Sequence, residues 1–255
     1  MPIDLTERDE FAVITINRPE ALNALSFELL RELANVIAQA ARGSARALLF
    51  IGAGEKAFCA GADVAQLRGR SLMQQRQGAE FGQSVMLAME RISLPSVAVI
   101  NGLAFGGGLE LALACTFRLA TRNAKLGLPE IKLGLIPGYG GTQRLPRLIG
   151  EGRALEMIMT GRSVDAEEAQ RIGLVNRVID GNPLDAAVAF AREFSGYSLP
   201  VLNFAREAVS TAMDHALNMG LRAERELGTL AFQTQDAREG ISAFLEKRPA
   251  KFQDR

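Results

Sequence analysis

The sequence predicts an α/β core followed by a helical appendage. In the first two thirds, short apolar or β-branched runs alternate with segments of helical spacing, and from about Pro183 onward nearly every segment is helical. The chain has 255 residues and is 48% hydrophobic, enough to bury one large domain, or one domain with a smaller appendage. This divides it into residues 1–182 as core and 183–255 as helical region.

Phe11 to Asn17 (FAVITIN) predicts a strand, which Arg18-Pro19 ends because proline has no N–H for a ladder. Ser26 is placed to cap a helix reaching about Arg42, with Leu29, Leu30, Leu33, Val36 and Ile37 at helical spacing and Gly43 at its end. Ala47 to Ile51 predicts a buried strand, and Gly52 to Asp63 a loop rich in glycine and alanine. Val64 to Arg91 is helical in pattern, with breaks expected at Gly69, Gly78 and Gly82 and a polar middle that marks it as the most mobile segment. Pro95 introduces a strand from Val97 to Ile100, and a glycine-rich turn leads into an apolar helix from about Gly107 to Cys115. Phe117 to Ala120 and Leu126 to Leu128 predict short strands. Beyond Gly150 the pattern is mostly helical, interrupted at Leu174 to Ile179. The final stretch, Arg238 to Phe252, carries Ile241, Phe244 and Leu245 on one face and suits a cover for its own domain or a neighbour.

Composition removes several classes of function. Lys plus Arg and Asp plus Glu both number 29, so no net field draws the molecule to nucleic acid or to an anionic membrane. Cys59 and Cys115 lack CxxC spacing and read as small buried apolar residues in a reducing compartment. His215 is the only histidine, which excludes a histidine-rich metal site, and its charge-dotted surroundings make it a surface residue. The start MPIDLTERDE has charges where a signal peptide needs an apolar core, and no run approaches the ~20 apolar residues that span a bilayer. The expected location is the cytoplasm.

Chemistry concentrates in a few loops. Asn101 to Glu110 (NGLAFGGGLE) follows a strand and opens a helix, so its backbone N–H groups suit an anion or a developing oxyanion. Leu111 stands where a dinucleotide fingerprint requires its third glycine, no glycine precedes a lysine as in a P-loop, and no GxSxG occurs. Close packing of a helix on a sheet accounts for the glycines equally well. Glu110 sits early in that apolar helix, where a carboxylate is costly unless it is paired, used, or complementing the helix dipole. Glu130, in GLPEIKLGL, is a second carboxylate in an apolar setting, whose structural reading is an ion pair with Lys132 or a nearby arginine. Two such acids beside a preorganised N–H site are what proton transfer next to a carbonyl requires. Phe58 to Asp63 (FCAGAD) offers small residues whose N–H groups can approach the same carbonyl, although packing and a helix cap at Asp63 explain them too. Pro137 to Pro146 (PGYGGTQRLP) reads as a turn into a helix.

Together these stretches resemble the enoyl-CoA hydratase/isomerase, or crotonase, family, in order over nearly the whole chain. NRPEALNAL (Asn17 to Leu25), KAFCAGAD (Lys56 to Asp63), NGLAFGGGLELALAC (Asn101 to Cys115), LGLPEIKLGLIPGYGGTQRLPR (Leu126 to Arg147), TGR (Thr160 to Arg162), GLVNRV (Gly173 to Val178) and GISAFLEKRPAKF (Gly240 to Phe252) carry the likeness. The resemblance implies a crotonase-like spiral of ββα units with a C-terminal helical region that mediates trimerisation, trimers often pairing into hexamers. It implies Ala62 and Gly107 as oxyanion-hole donors and Glu110 and Glu130 as the catalytic pair of an enoyl-CoA hydratase. Coenzyme A is then part of the substrate and no cofactor is needed. Its adenine and pantetheine are expected along Ala60, Gly61, Ala62, Asp63 and Val64, with Lys56 or Lys247 meeting the phosphates. The chain departs from the common pattern at Thr116, often aspartate, and at Tyr139, often small, which bears on the acyl pocket. Related readings are a Δ3,Δ2-enoyl-CoA isomerase and a hydratase for a branched acid of the 3-methylglutaconyl-CoA type. A different class is an inactive acyl-CoA or RNA-binding paralogue using Arg68, Arg70 and Arg76 as a basic patch.

Overall fold

The computed structural model describes residues 2–255. Its chain opens with β1 (Ile3–Arg8), which pairs antiparallel with β2 (Phe11–Ile16) and continues through α1 (Phe27–Ala40). Three strand–strand–helix units follow: β3 (Ala47–Gly52), β4 (Ala57–Cys59) and α2 (Leu72–Arg91); β5 (Ser96–Ile100), β6 (Leu103–Phe105) and α3 (Gly107–Ala114); β7 (Phe117–Thr121), β8 (Lys125–Gly127) and α4 (Gly141–Ile149). In each unit the first strand joins one sheet and the second strand another, which winds the chain into a spiral. The sheets run β1-β2-β3-β5-β7-β10 and β4-β6-β8-β9. The remaining elements are α5 (Glu151–Thr160), β9 (Ser163–Asp165), α6 (Ala166–Arg171), β10 (Arg177–Ile179), α7 (Pro183–Ser195), α8 (Leu199–Ala212), α9 (Leu217–Gln233) and α10 (Gln235–Leu245).

Apart from the β1 hairpin, the six-stranded sheet is parallel and buried on both faces. Leu48, Phe50, Ala98 and Ile100 point into the main core, while Leu49, Val97, Val99 and Leu119 pack under Ala187, Val188, Phe190 and Ala191 of α7. Two-sided burial is why these strands read as continuous apolar runs rather than alternating ones.

The sequence reading of the larger elements holds. Ser26 caps α1 by accepting the Leu29 N–H at 3.0 Å, and the strands expected from Phe11, Ala47, Val97, Phe117 and Leu126 are present within two residues. Four short strands were not anticipated: β1, because its charged residues face outward, and β4, β6 and β9, because three residues are too few for a pattern. The segment from Gly52 to Asp63 is therefore not all loop. Gly78 and Gly82 do not break α2, which runs unbroken from a capping box at Ser71 and Gln74; the chain is interrupted only between a 3-10 turn at Val64–Leu67 and Ser71. Those two glycines serve close contacts instead, described below. No helix among the described residues is long and apolar enough to cross a membrane.

Candidate active site

Two loops and one helix start converge where β4 and β6 end. The segment from Leu22 to Leu25 lies beside Ala60 to Asp63 like a short strand: Ala60 N–H donates to Leu22 O at 3.0 Å, Leu25 N–H to Gly61 O at 2.8 Å and Asp63 N–H to Leu25 O at 2.9 Å. In such a parallel bridge the residue between, Ala62, turns its own N–H to the other side, where it has no acceptor among the described residues. Buried Asn23 anchors this floor by donating to Ala53 O at 3.0 Å and Ala57 O at 2.8 Å. Asp63 caps nothing with its side chain; Arg18 Nη2 approaches its carboxylate at 3.4 Å.

Gly107 is the first residue of α3, so its N–H has no partner within the helix. A first side-chain carbon built on Gly107 would stand 3.4 Å from the Ala62 nitrogen, which puts the two free donors side by side. The glycines of this cluster differ in what their places require. One on Gly108 would fall 1.9 Å from Cys59 O, so glycine there is a packing requirement, while Gly107 supplies an open donor.

The two glutamates lie near this pair. Glu110, 1% exposed, accepts the N–H groups of Tyr139 and Gly141 on Oε1, each at 2.7 Å. Burial pushes its pKa up to about 7, against the opposing pull of the Gly141 N–H; the charge of Glu130 raises it further. Glu130 opens a 3-10 turn after Pro129, and its Oε1 lies 2.9 Å from where a side chain on Gly106 would begin. Its Oε2 is buried without a hydrogen-bond partner, and burial raises its pKa as well. Among the described residues Glu130 forms no ion pair with Lys132 or with an arginine. Gly106 joins the two acids: its carbonyl accepts the Glu110 N–H at 2.9 Å, and its lack of a side chain leaves room for Glu130.

The turn at Pro137 to Pro146 thus does more than connect. It delivers the two N–H donors that hold Glu110, and Arg144 braces it, donating to Tyr139 O at 3.0 Å while pairing with both Glu90 oxygens at 2.5 and 2.8 Å. The sequence marked neither these donors nor Arg144, because their partners lie 29 to 54 residues away. The Tyr139 ring lies 3.3 Å from the Gly107 side-chain position and forms a wall of the site.

The structure therefore brings together Ala62, Gly107, Glu110, Glu130 and Tyr139, with Ala60, Gly61 and Asp63 on the adjoining loop. Val64 is 52% exposed at the loop's end, and Lys56 is exposed at the edge of β4. Lys247 lies exposed on the turn after α10 and is not joined to the glutamates. Arg70 does not extend a patch with Arg68 and Arg76: its guanidinium folds onto the Phe27 ring, and Arg76 pairs with Glu80. Cys59 and Cys115 are buried thiols with pKa raised by burial to about 12, and His215 is exposed. An apolar cavity of about 470 Å³ lies between α8, α9 and α10, but its one carboxylate, Asp236, is already held by the N–H groups of Gln253 and Asp254 at 2.7 and 2.8 Å. No metal-binding cluster of His, Cys, Asp or Glu occurs among the described residues.

Two free main-chain donors stand near two carboxylates of raised pKa, one buried and one partly buried, an arrangement that suits oxyanion stabilisation and proton transfer. The chain belongs to the enoyl-CoA hydratase/isomerase family, whose model matches residues 6–255. It is 42% identical over 253 residues to a crotonyl-CoA hydratase of Syntrophomonas wolfei, covering 98% of this chain and 97% of that protein. A short-chain-enoyl-CoA hydratase of Clostridium acetobutylicum is 38% identical, covering 96% and 94%. The crystal structure of an enoyl-CoA hydratase from Bacillus anthracis superposes with a TM-score of 0.95 at 40% identity, covering all of both chains. The crotonase-like fold expected from the motifs is the one observed.

Proposed function

We propose that this chain is an enoyl-CoA hydratase, adding water reversibly to a trans-2-enoyl-CoA to give a 3-hydroxyacyl-CoA. The observation that supports this reading is the pair of acids, Glu110 and Glu130, gathered near the free Ala62 and Gly107 N–H groups. The hydratase activities for which the relatives are named agree with it.

The thioester oxygen binds between the Ala62 and Gly107 N–H groups, which hold the negative charge that gathers there as water attacks the β-carbon. One such donor contributes ~3 kcal/mol of transition-state stabilisation. Glu110, oriented by two backbone donors that favour its anion, holds the water and takes its proton. Glu130, with a buried unpartnered oxygen that favours the protonated form, delivers a proton to the α-carbon. Water gives its hydroxyl to the β-carbon and a proton to Glu110, Glu130 gives a proton to the α-carbon, and exchange with solvent then removes the proton from Glu110 and restores one to Glu130, so atoms and charge balance over the cycle.

Coenzyme A enters as part of the substrate, lying along Ala60 to Val64, with exposed Lys56 available to its phosphates; no cofactor takes part. Residues 1–182 carry the site. For residues 183–255 the reading is assembly into a homotrimer, or a hexamer of two trimers, supported by the exposed Val209, Met213, Leu217, Leu221, Leu230 and Phe232 of α8, α9 and the turn between them. A cytoplasmic location suits the two free thiols.

The deciding experiment offers crotonyl-CoA and follows loss of the conjugated thioester's ultraviolet absorbance, with 3-hydroxybutyryl-CoA identified by mass. Turnover supports the reading. No turnover, or conversion only of a 3-enoyl thioester, defeats it.

A further inference from the structure

Leu22 and Asn23 are consecutive residues in left-handed backbone, with φ of +51° and +59°. Asparagine tolerates that conformation, but for leucine it is an outlier, which persists only where the surrounding fold holds it. The Asn23 side chain supplies the hold. It is fully buried, and its amide makes three hydrogen bonds to main chain: Oδ1 accepts the Arg18 N–H at 2.9 Å, while Nδ2 donates to Ala53 O at 3.0 Å and Ala57 O at 2.8 Å.

These bonds set a register. Ala57 begins β4, the strand that runs on into Ala60 to Asp63, so the Asn23–Ala57 bond adds a side-chain rung to the three backbone bonds that join Leu22 and Leu25 to Ala60, Gly61 and Asp63. Because successive N–H groups of a strand point to opposite sides, a slip of one residue would turn the Ala62 N–H into the bridge instead of out of it. Arg18 ties the same two segments together: its Nη1 donates to Ala24 O at 3.0 Å and its Nη2 approaches Asp63 Oδ2 at 3.4 Å.

We propose that Asn23 is a positioning residue of the oxyanion hole, its side-chain amide fixing the direction of the Ala62 N–H. With 0% exposure it has no surface to offer a substrate and acts only through the main chain it holds. A hydrogen bond weakens steeply as it bends, so a preorganised donor owes its strength to its aim. Misdirection costs more in the transition state, where the thioester oxygen carries charge, than in the ground state, where the carbonyl is neutral. The loss therefore falls on kcat rather than KM. This role rests on the hydratase reading above.

The test uses Asn23→Gly, which leaves the left-handed backbone accessible and removes the amide, and Asn23→Ala, which removes the amide and adds strain, with circular dichroism to confirm folding. On crotonyl-CoA, Asn23→Gly should lower kcat by about tenfold with KM within about threefold of wild type, and Asn23→Ala should lose more. The second readout is the infrared carbonyl stretch of bound butyryl-CoA carrying a carbon-13 label at that carbonyl, a saturated thioester that cannot be hydrated. Binding to wild type should lower this frequency, and binding to Asn23→Gly should lower it less. Loss of folded enzyme weakens the band without moving it, so the frequency separates aim from stability. A folded Asn23→Gly variant with the wild-type frequency, with kcat within twofold of wild type, or with its loss mainly in KM overturns the role. Should neither Asn23 variant fold, Arg18→Met decides: kcat about threefold lower with a smaller frequency change supports the role, and wild-type values of either overturn it. A wild type that lowers the carbonyl frequency without hydrating crotonyl-CoA defeats the hydratase reading alone, and the frequency then decides the role of Asn23. A wild type that binds butyryl-CoA with no change in frequency overturns the proposed hole and the role of Asn23 with it.

Discussion

Glu130 Oε1 occupies the space that a side chain on Gly106 would need, 2.9 Å from where its first carbon would stand. Gly106 has φ of +50°, accepts the Glu110 N–H through its carbonyl and donates its own N–H to Gly127 O at 3.0 Å. One backbone position thus fixes both acids relative to each other and to the neighbouring Gly107 donor.

Gly106→Ala should therefore damage function more than folding. The added methyl displaces the Glu130 carboxylate and strains a left-handed backbone, costing on the order of 1–3 kcal/mol of stability. A kcat loss of about 100-fold is expected from misplacing the acid. Chemical denaturation and steady-state hydration rates measure the two effects; a variant with full activity would show that Glu130 need not stand where it does.

Burial of Glu110 makes a stability prediction of definite sign. Its pKa rises from 4.5 to about 7, so between those values the unfolded chain has released a proton that the folded site keeps. Folding stability from this group is then greatest below pH 4.5 and declines as pH rises toward 7. Glu110→Gln keeps an oxygen for the Tyr139 and Gly141 N–H groups and removes the decline. It should be more stable than wild type at pH 8, by on the order of 3 kcal/mol at most, with no gain near pH 4.5. Melting curves at the two pH values check this.

The raised acids also shape the pH–rate profile. In the proposed hydration Glu110 is ionised when it accepts a proton from water, so kcat/KM should fall as pH drops below a midpoint near neutrality, well above the ordinary carboxylate range. The two glutamates feel each other, and the limbs report the pair rather than either residue alone. An acid limb centred near 4.5 would mean that burial does not govern Glu110 in the working enzyme.

Arg144 acts through others. It holds the turn that donates to Glu110 and is itself held by Glu90. Arg144→Gln should lower kcat by about tenfold with little change in KM, because it loosens the turn that holds Glu110 without touching Ala60 to Val64. The Glu90→Gln variant should reproduce the pattern more weakly. Circular dichroism separates this from loss of folded enzyme, which also lowers apparent kcat at unchanged KM; a folded Arg144→Gln variant with kcat within about two-fold of wild type would contradict the bracing role.

The sequence shows much of this architecture because two-sided burial writes itself as continuous apolar runs: Ala47 to Ile51 and Val97 to Ile100 have no other reading. Glu110 is legible because a carboxylate among leucines needs a reason. By contrast β4, β6 and β9 are set by pairing with distant strands, not by any local preference, and three residues carry no period. Gly78 and Gly82 read as helix breakers because propensity is local, while their role, admitting Phe27, Arg70 and Tyr139, is tertiary. Arg144 and Arg70 escape for the same reason: one finds its partners through the fold, the other lacks an anionic partner within it.

The reading that two opposed acids share one hydration step is tested most directly by kcat for crotonyl-CoA in wild type, Glu110→Gln, Glu130→Gln and the double variant. Each single change should cost at least about 100-fold, and the double variant should be little slower than the worse single one, because the two groups act as a unit. A single variant within a few-fold of wild type would contradict the role given to that glutamate, and losses that simply multiply in the double variant would contradict their joint action.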